Sequence, residues 1–311
     1  MNISGGNVLA ELTLNAYAKI NLCLDVTGRR GDGYHLVKMV MQTIDLHDTL
    51  IFRKGTEPGI KLIMDAGDLP AGPDNLIIKG INAAEAAAAE KGNGRRSSMP
   101  LEIELKKRIP IAAGMAGGST DAAAAMAGIN RLAGLGLTYE ELRKAAVHVG
   151  ADVPYCLMGG TALAEGIGEV LTPLPDIGEC CVAVARPDAH VSTAYVYGRL
   201  DSMTDIVHPD TDAVLERIAA RDVAGMAGYM GNVLESVTET EHPVITEIKK
   251  TMDGYGALKA MMSGSGPSVF GIFGSREEAE AACASIKERG LTDVTFVTRT
   301  VGRGKGETVY A

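Results

Sequence analysis

The run Pro110-Ile111-Ala112-Ala113-Gly114-Met115-Ala116-Gly117-Gly118-Ser119-Thr120 joins a strand-like segment to an alanine-rich one, and it constrains this chain most. Glycine lets a backbone turn sharply and approach a ligand with no Cβ in the way. A helix start adds unpaired N–H groups and the positive end of the helix dipole. Together they make a cradle for a phosphate-like anion. The hydroxyls of Ser119 and Thr120 suit a phosphate oxygen or Mg²⁺. No Lys follows the last glycine pair, so this is not a Walker A loop, and the glycine spacing is not Gly-x-Gly-x-x-Gly. Taken alone, such a turn is also what tight helix packing would use.

The surrounding pattern predicts strands at Leu12–Ala18, Leu22–Val26, Met39–Ile44, Thr49–Arg53, Ile60–Met64 and Leu101–Lys106. Later ones are expected at Thr161–Ala164, Val170–Thr172, Cys180–Ala185, Ala257–Met262 and Val269–Phe273. A helix is expected to start at Asp74-Asn75 and stop at Gly92-Asn93-Gly94. Ser119 or Thr120 is expected to cap the alanine-rich helix that runs to Leu132. Thr138 with Glu141, and Ser275 with Glu278, have the spacing of capping boxes. Strands and helices mix without a βαβ repeat, which predicts an α+β fold. With 38 Gly, no Trp and four Phe, close packing of small residues is expected in place of an aromatic core. A change of pattern at Pro173–Pro175 divides the chain into residues 1–172 and 173–311.

A net charge of −9 argues against a nucleic-acid-binding face, and the basic triplet Lys106-Lys107-Arg108 reads as a solvated strand end. Five Cys in no metal-ligand spacing predict reduced thiols in a cytoplasmic protein. Met1–Leu14 carries no secretory signal pattern, and no apolar run is long enough to span a membrane.

Two further segments flank the loop. Lys19 sits between apolar Ala18 and Ile20, so it either points to water from an edge strand or is buried with a partner. Downstream lie Gly33-Tyr34-His35, which could equally be core residues, and near the C-terminus the turn Met262-Ser263-Gly264-Ser265-Gly266-Pro267-Ser268.

The three segments, in this order, resemble the motifs of the GHMP kinases. Ala18-Lys19-Ile20-Asn21-Leu22, Asp74-Asn75-Leu76-Ile77, Gly150-Ala151-Asp152-Val153-Pro154 and Ala164-Glu165-Gly166-Ile167-Gly168-Glu169 are similar to the diphosphocytidyl-methylerythritol kinase branch. One departure stands out: Ala112, Ala113 and Ala116 occupy positions often held by Gly, and they are expected to avoid the left-handed region.

The resemblance implies a two-domain fold with the active site in the cleft between domains. It implies ATP as co-substrate, with Mg²⁺, and phosphorylation of the 2-hydroxyl of a cytidine diphosphate-linked methylerythritol. Lys19 and Asp152 fall on the catalytic positions; Asn75, Leu76 and Lys107 fall on adenosine contacts, and 110–120 on the phosphate loop. Asn21, Tyr34, His35 and Tyr197 fall on the substrate side, where an aromatic ring can stack on cytosine. The other readings are a GHMP kinase for mevalonate or a related alcohol, and a non-catalytic ligand sensor. No nucleic-acid or membrane partner is expected, and the chain is read as a monomer or homodimer.

Overall fold

The structure, a computed structural model, describes residues 11–65, 69–92 and 100–304; the expectations placed on Met1–Ala10 and Asn93-Gly94 lie outside them. Strands β1 (Glu11–Arg29) and β2 (His35–Lys54) form one long antiparallel ribbon, from Glu11 opposite Arg53 to Arg29 opposite His35. The sequence predicts four short strands here, because polar residues interrupt the apolar runs. The ladder instead continues through them, with register shifts between Tyr17 and Lys19 and between Asn21 and Cys23. Bulges re-aim side chains. Lys19 and Asn21 are both buried as a result, which excludes the edge-strand reading of Lys19.

The ribbon is long enough to change partners. Its far half pairs with β4 (Leu101–Lys106), which carries β3 (Ile60–Met64) in parallel. Its near half pairs with β5 (Thr161–Glu165), followed by β6 (Val170–Pro173). A second, antiparallel sheet has the order β10 (Thr295–Arg299), β7 (Cys181–Ala185), β9 (Val269–Phe273), β8 (Lys259–Met262). Strand β10 is not predicted from the sequence; every residue in it is partly or fully exposed, so it lacks a clear apolar face.

Helices α1 (Leu76–Glu90), α2 (Gly117–Leu132), α3 (Tyr139–Ala146) and α4 (Val153–Met158) belong to the six-stranded sheet. Asn75 caps α1 by accepting from the Ile77 N–H, and Thr138 with Glu141 closes the expected capping box. All of Thr120–Ile129 in α2 is buried; its alanines share a core with α1, and Gly128 faces the Phe52 ring. The later helices are α5 (Thr193–Leu200), α6 (Thr211–Ala219), α7 (Val223–Tyr229), α8 (Glu235–Glu241), α9 (Pro243–Gly254) and α10 (Arg276–Glu288). Ser275 and Glu278 box the start of α10 as predicted.

A shared apolar layer locks the two sheets. Ile20, Leu22, Val40 and Ile44 of the ribbon meet Val182, Val184, Met261, Phe270 and Ile272. Each such side chain contributes about 1.5–3 kcal/mol on burial, so the sheets are held in fixed relation and the space at their junction keeps its shape. The described cysteines form no disulfide. No helix among the described residues is long and apolar enough to cross a membrane.

Candidate active site

Strand β4 delivers the chain to the glycine-rich loop, and a buried ionic cluster fixes that delivery. Lys107 is not a solvated strand-end residue: its ammonium pairs with Asp48 and with Asp121 Oδ2, the latter at 2.8 Å, and all three side chains are almost fully buried. Asp48 also accepts from the backbone N–H groups of Arg108 and Ile109. One ammonium serves two carboxylates, so one proton is retained. Burial, then the neighbouring Asp48 charge, raises Asp121 against the opposing pull of Lys107, to about 8. Asp121 follows directly on the loop's Ser119-Thr120, and neither it nor Asp48 was singled out from the sequence as a site residue.

The loop departs from expectation in its dihedrals. Ala113 avoids positive φ, but Ala112 (φ 52°) and Ala116 (φ 59°) are left-handed, as is Gly114 (φ 72°). An L-residue there costs about 1–2 kcal/mol, and tertiary contacts hold the conformation. The Lys19 N–H donates to Met115 O at 3.2 Å, and the Ser263 hydroxyl donates to Gly114 O at 2.9 Å. Strain held in place by its surroundings is a property of functional loops. Positive φ at Ala112, Gly114 and Ala116 is the kind of alternation by which a backbone can turn successive N–H groups toward an anion. Gly114 has no alternative, since a Cβ there would lie 2.1 Å from Ser263 O.

Helix α2 then begins at Gly117, two residues before the predicted caps. Ala116 occupies the cap position and offers no side-chain hydrogen bond, so the first-turn N–H groups carry no side-chain cap. Thr120 is buried, whereas Ser119 lines a cavity.

Above the loop, Lys19 Nζ donates to Asn21 Oδ1 at 2.8 Å and stands 3.9 Å from Asp152 Oδ2. Lys19 is 5% exposed, and the Asp152 side chain is 31% exposed. Asp152 precedes α4 but makes no cap hydrogen bond, so its carboxylate is not spent on the turn. The Ser263–Ser265 turn closes over the pair: a Cβ on Gly264 would come within 3.5 Å of Lys19 Nζ.

A cavity of about 740 Å³ opens from this pair. It brings together Lys19, Asn21, Tyr34, His35, Gly114, Ala116, Ser119, Asp152 and Tyr197. At its far end the His35 and Tyr197 rings lie 4.8 Å apart, tilted by 42°. Burial, then the Asp152 charge, pushes the Tyr197 phenol up to about 12, so it stays neutral. Tyr34 is 59% exposed at the rim under the Arg30 guanidinium.

On the other side of the loop a smaller cavity, about 260 Å³, takes Asn75, Leu76, Lys107, Pro110, Ile111, Ala112, Gly117 and Gly118. Ala113 and Met115 line neither; both side chains are buried in the core and only their backbone can serve a ligand. The arrangement therefore has two compartments on either side of the glycine-rich loop, with an ammonium–carboxylate pair in the larger. Thr193, Asp201 and Ser265 also line that larger cavity without having been predicted as site residues. Ser265 lay within a quoted motif, whereas Asp201 had no local signal.

Family models for the GHMP kinases N terminal domain and the GHMP kinases C terminal match residues 75–160 and 201–291. The chain belongs to the GHMP kinases. It is a phosphotransferase with an alcohol group as acceptor. A 4-diphosphocytidyl-2-C-methyl-D-erythritol kinase of Lachnospira eligens is 48% identical over 94% of this chain and 99% of its own length. One of Lachnoclostridium phytofermentans is 44% identical over 93% of this chain and 97% of its own length. A crystal structure of 4-(cytidine 5'-diphospho)-2C-methyl-D-erythritol kinase superposes with a TM-score of 0.75 at 29% identity, covering 94% of this chain and all of the other. A homoserine kinase of Cytophaga hutchinsonii shares the fold at 19% identity, with a TM-score of 0.74.

Proposed function

We propose that this kinase transfers the γ-phosphoryl group of ATP to the 2-hydroxyl of 4-diphosphocytidyl-2-C-methyl-D-erythritol. The observation that carries this reading is the larger cavity, with the Lys19–Asp152 pair at one end and an aromatic–imidazole end opposite. Its volume of about 740 Å³ has room for a substrate with a nucleotide handle, and the names of the full-length relatives support the same choice.

In this reading Asp152 accepts a hydrogen bond from the attacking hydroxyl and aims its lone pair at the γ-phosphorus. The new O–P bond forms as the bond to the β-phosphate oxygen breaks, ADP leaves, and the hydroxyl proton passes late to Asp152. Lys19, oriented by Asn21, offsets charge on the hydroxyl oxygen and on the phosphoryl group in transfer. Residues 110–120 hold the phosphates through backbone N–H groups. Asn75 and Leu76 border the adenosine, and Lys107 acts there chiefly by anchoring the loop entry, since its ammonium is already engaged. Tyr34 and Tyr197 supply aromatic faces for cytosine, and His35 reads its edge.

Mg²⁺ fits as an ion carried in with the triphosphate. No group of three or more His, Cys, Asp or Glu among the described residues could hold a metal. The Ser119 hydroxyl, lining the cavity, is a hard oxygen donor of the kind Mg²⁺ takes. Held there with the triphosphate, the ion would supply positive charge to the phosphate oxygens.

We also propose the division at 172/173, one residue before the end of β6 at Pro173, and assembly no larger than a homodimer. Incubation with ATP, Mg²⁺ and the cytidyl substrate, followed by mass analysis, tests the activity. One added phosphoryl group is expected, and none on mevalonate; phosphorylation of mevalonate instead would replace the reading.

A further inference from the structure

His35 opens β2, and Tyr197 and Asp201 stand four residues apart at the end of α5. Residues at that spacing share one helix face, and this face meets His35. Tyr197 packs on the ring, and Asp201 Oδ1 lies 2.8 Å from His35 Nε2. The other oxygen of Asp201 accepts from Arg29 at 3.2 Å, and Arg29 Nε in turn donates to Gly33 O at 3.1 Å. The imidazole is therefore held in plane and in rotation by three elements. His35 Nδ1 makes no hydrogen bond among the described residues, and the ring borders the larger cavity.

We infer that Asp201 is a positioning residue that sets base specificity by fixing which nitrogen of His35 carries the proton. The inference rests on the reading above, in which His35 faces the base of the substrate. An ionised carboxylate can only accept hydrogen bonds. Nε2 must then be the protonated nitrogen of the neutral ring, and Nδ1 is left as an acceptor. An acceptor at that place matches the exocyclic amino group of cytosine. It opposes the O4 carbonyl of uracil, lone pair against lone pair. Arg29 engages the second oxygen and offsets the carboxylate's charge, so one carboxylate serves both contacts without a bare oxygen facing the base.

Asp201→Asn is the decisive change. Arg29 will keep the amide oxygen, turning the amide NH₂ toward Nε2. The ring must then accept at Nε2 and donate at Nδ1, which suits uracil. Sites built on matched hydrogen bonds reject analogues lacking the match by large factors. The wild type should favour the cytidyl over the uridyl substrate in kcat/KM by about 100-fold or more. Asp201→Asn should lower that ratio by at least about tenfold, with the uridyl substrate gaining, and Asp201→Glu should restore it.

A merely structural role would depress both substrates together and leave the ratio within about threefold, which overturns the inference. Nitrogen-15 NMR of His35 in the wild-type protein reads the tautomer directly and does not depend on the variant folding. Protonated Nε2 is expected, and a proton resident on Nδ1 also overturns it. If the wild type phosphorylates neither substrate, the functional reading itself fails and takes this inference with it. If it phosphorylates the cytidyl substrate and the ratio survives Asp201→Asn, only the inference falls.

Discussion

The Lys19 ammonium stands 3.9 Å from Asp152 Oδ2, close enough to attract and too far for a good hydrogen bond. The short contact of Lys19 is with Asn21 instead, at 2.8 Å. A substrate hydroxyl can therefore enter between the two charges without first breaking a tight ion pair.

Lys19→Met should reduce kcat by about 10²–10³, the loss typical of removing one group that stabilises developing charge. Asp152→Asn should reduce it by about 10²–10⁴. Because the two act as a unit, the double variant should be little worse than the weaker single one. Steady-state kinetics with ATP and the alcohol substrate check this; near-wild-type turnover in either single variant excludes its role.

Gly114→Ala should disable the phosphate loop, since its Cβ would fall 2.1 Å from Ser263 O at a positive φ. Relief is expected in the opposite direction at Ala116, whose φ of 59° suits glycine. Ala116→Gly should stabilise the fold by about 0.5–1 kcal/mol, the left-handed penalty less the added freedom of the unfolded chain. Urea unfolding of both variants measures the pair of effects.

Lys107→Met should be strongly destabilising, by about 3–5 kcal/mol, because it leaves buried carboxylates without their ammonium. Substituting Lys107 and Asp121 with apolar residues and Asp48 with Asn, whose side-chain oxygen still accepts from the Arg108 and Ile109 N–H groups, should cost less than the single change. Chemical denaturation of the two proteins tests the order.

The pH dependence of stability should carry the signature of Asp121. Its native pKa of about 8 lies above the ordinary 3.8, so the folded state binds a proton that the unfolded chain has released. That stabilisation is full below the unfolded value and is lost as pH rises toward the native one. The slope between those limits is up to about 1.4 kcal/mol per pH unit. Asp121→Asn, which mimics the protonated carboxyl, should flatten the slope between about pH 5 and pH 8 and match or exceed wild-type stability at the upper end. Unfolding curves across that range decide it, and an unchanged slope would assign the retained proton elsewhere.

Local chemistry was legible wherever a few neighbouring residues specify it. The capping residues Asn75, Thr138 and Ser275 act as their sequence predicts, because a cap is built within one turn. Strands β4 and β9 have the predicted bounds for the same reason: short apolar runs ended by charge or glycine. The α2 cap and the dihedrals of Ala112 and Ala116 differ from expectation, while that of Ala113 agrees, since contacts from Lys19 and Ser263 overrule local preference in the loop.

The order of three motifs along the chain, through its resemblance to the GHMP kinases, was by itself enough to set the expectation of an α+β kinase, whereas the glycine loop alone would also have suited tight helix packing. Only the tertiary structure decided that Lys107 is buried between two acids and that Asp201 holds His35. Those partners come from separate elements, and a polar side chain shows no periodicity that reveals which distant group will neutralise it. Burial, the condition that makes such partners necessary, exists only after the two sheets have closed on each other.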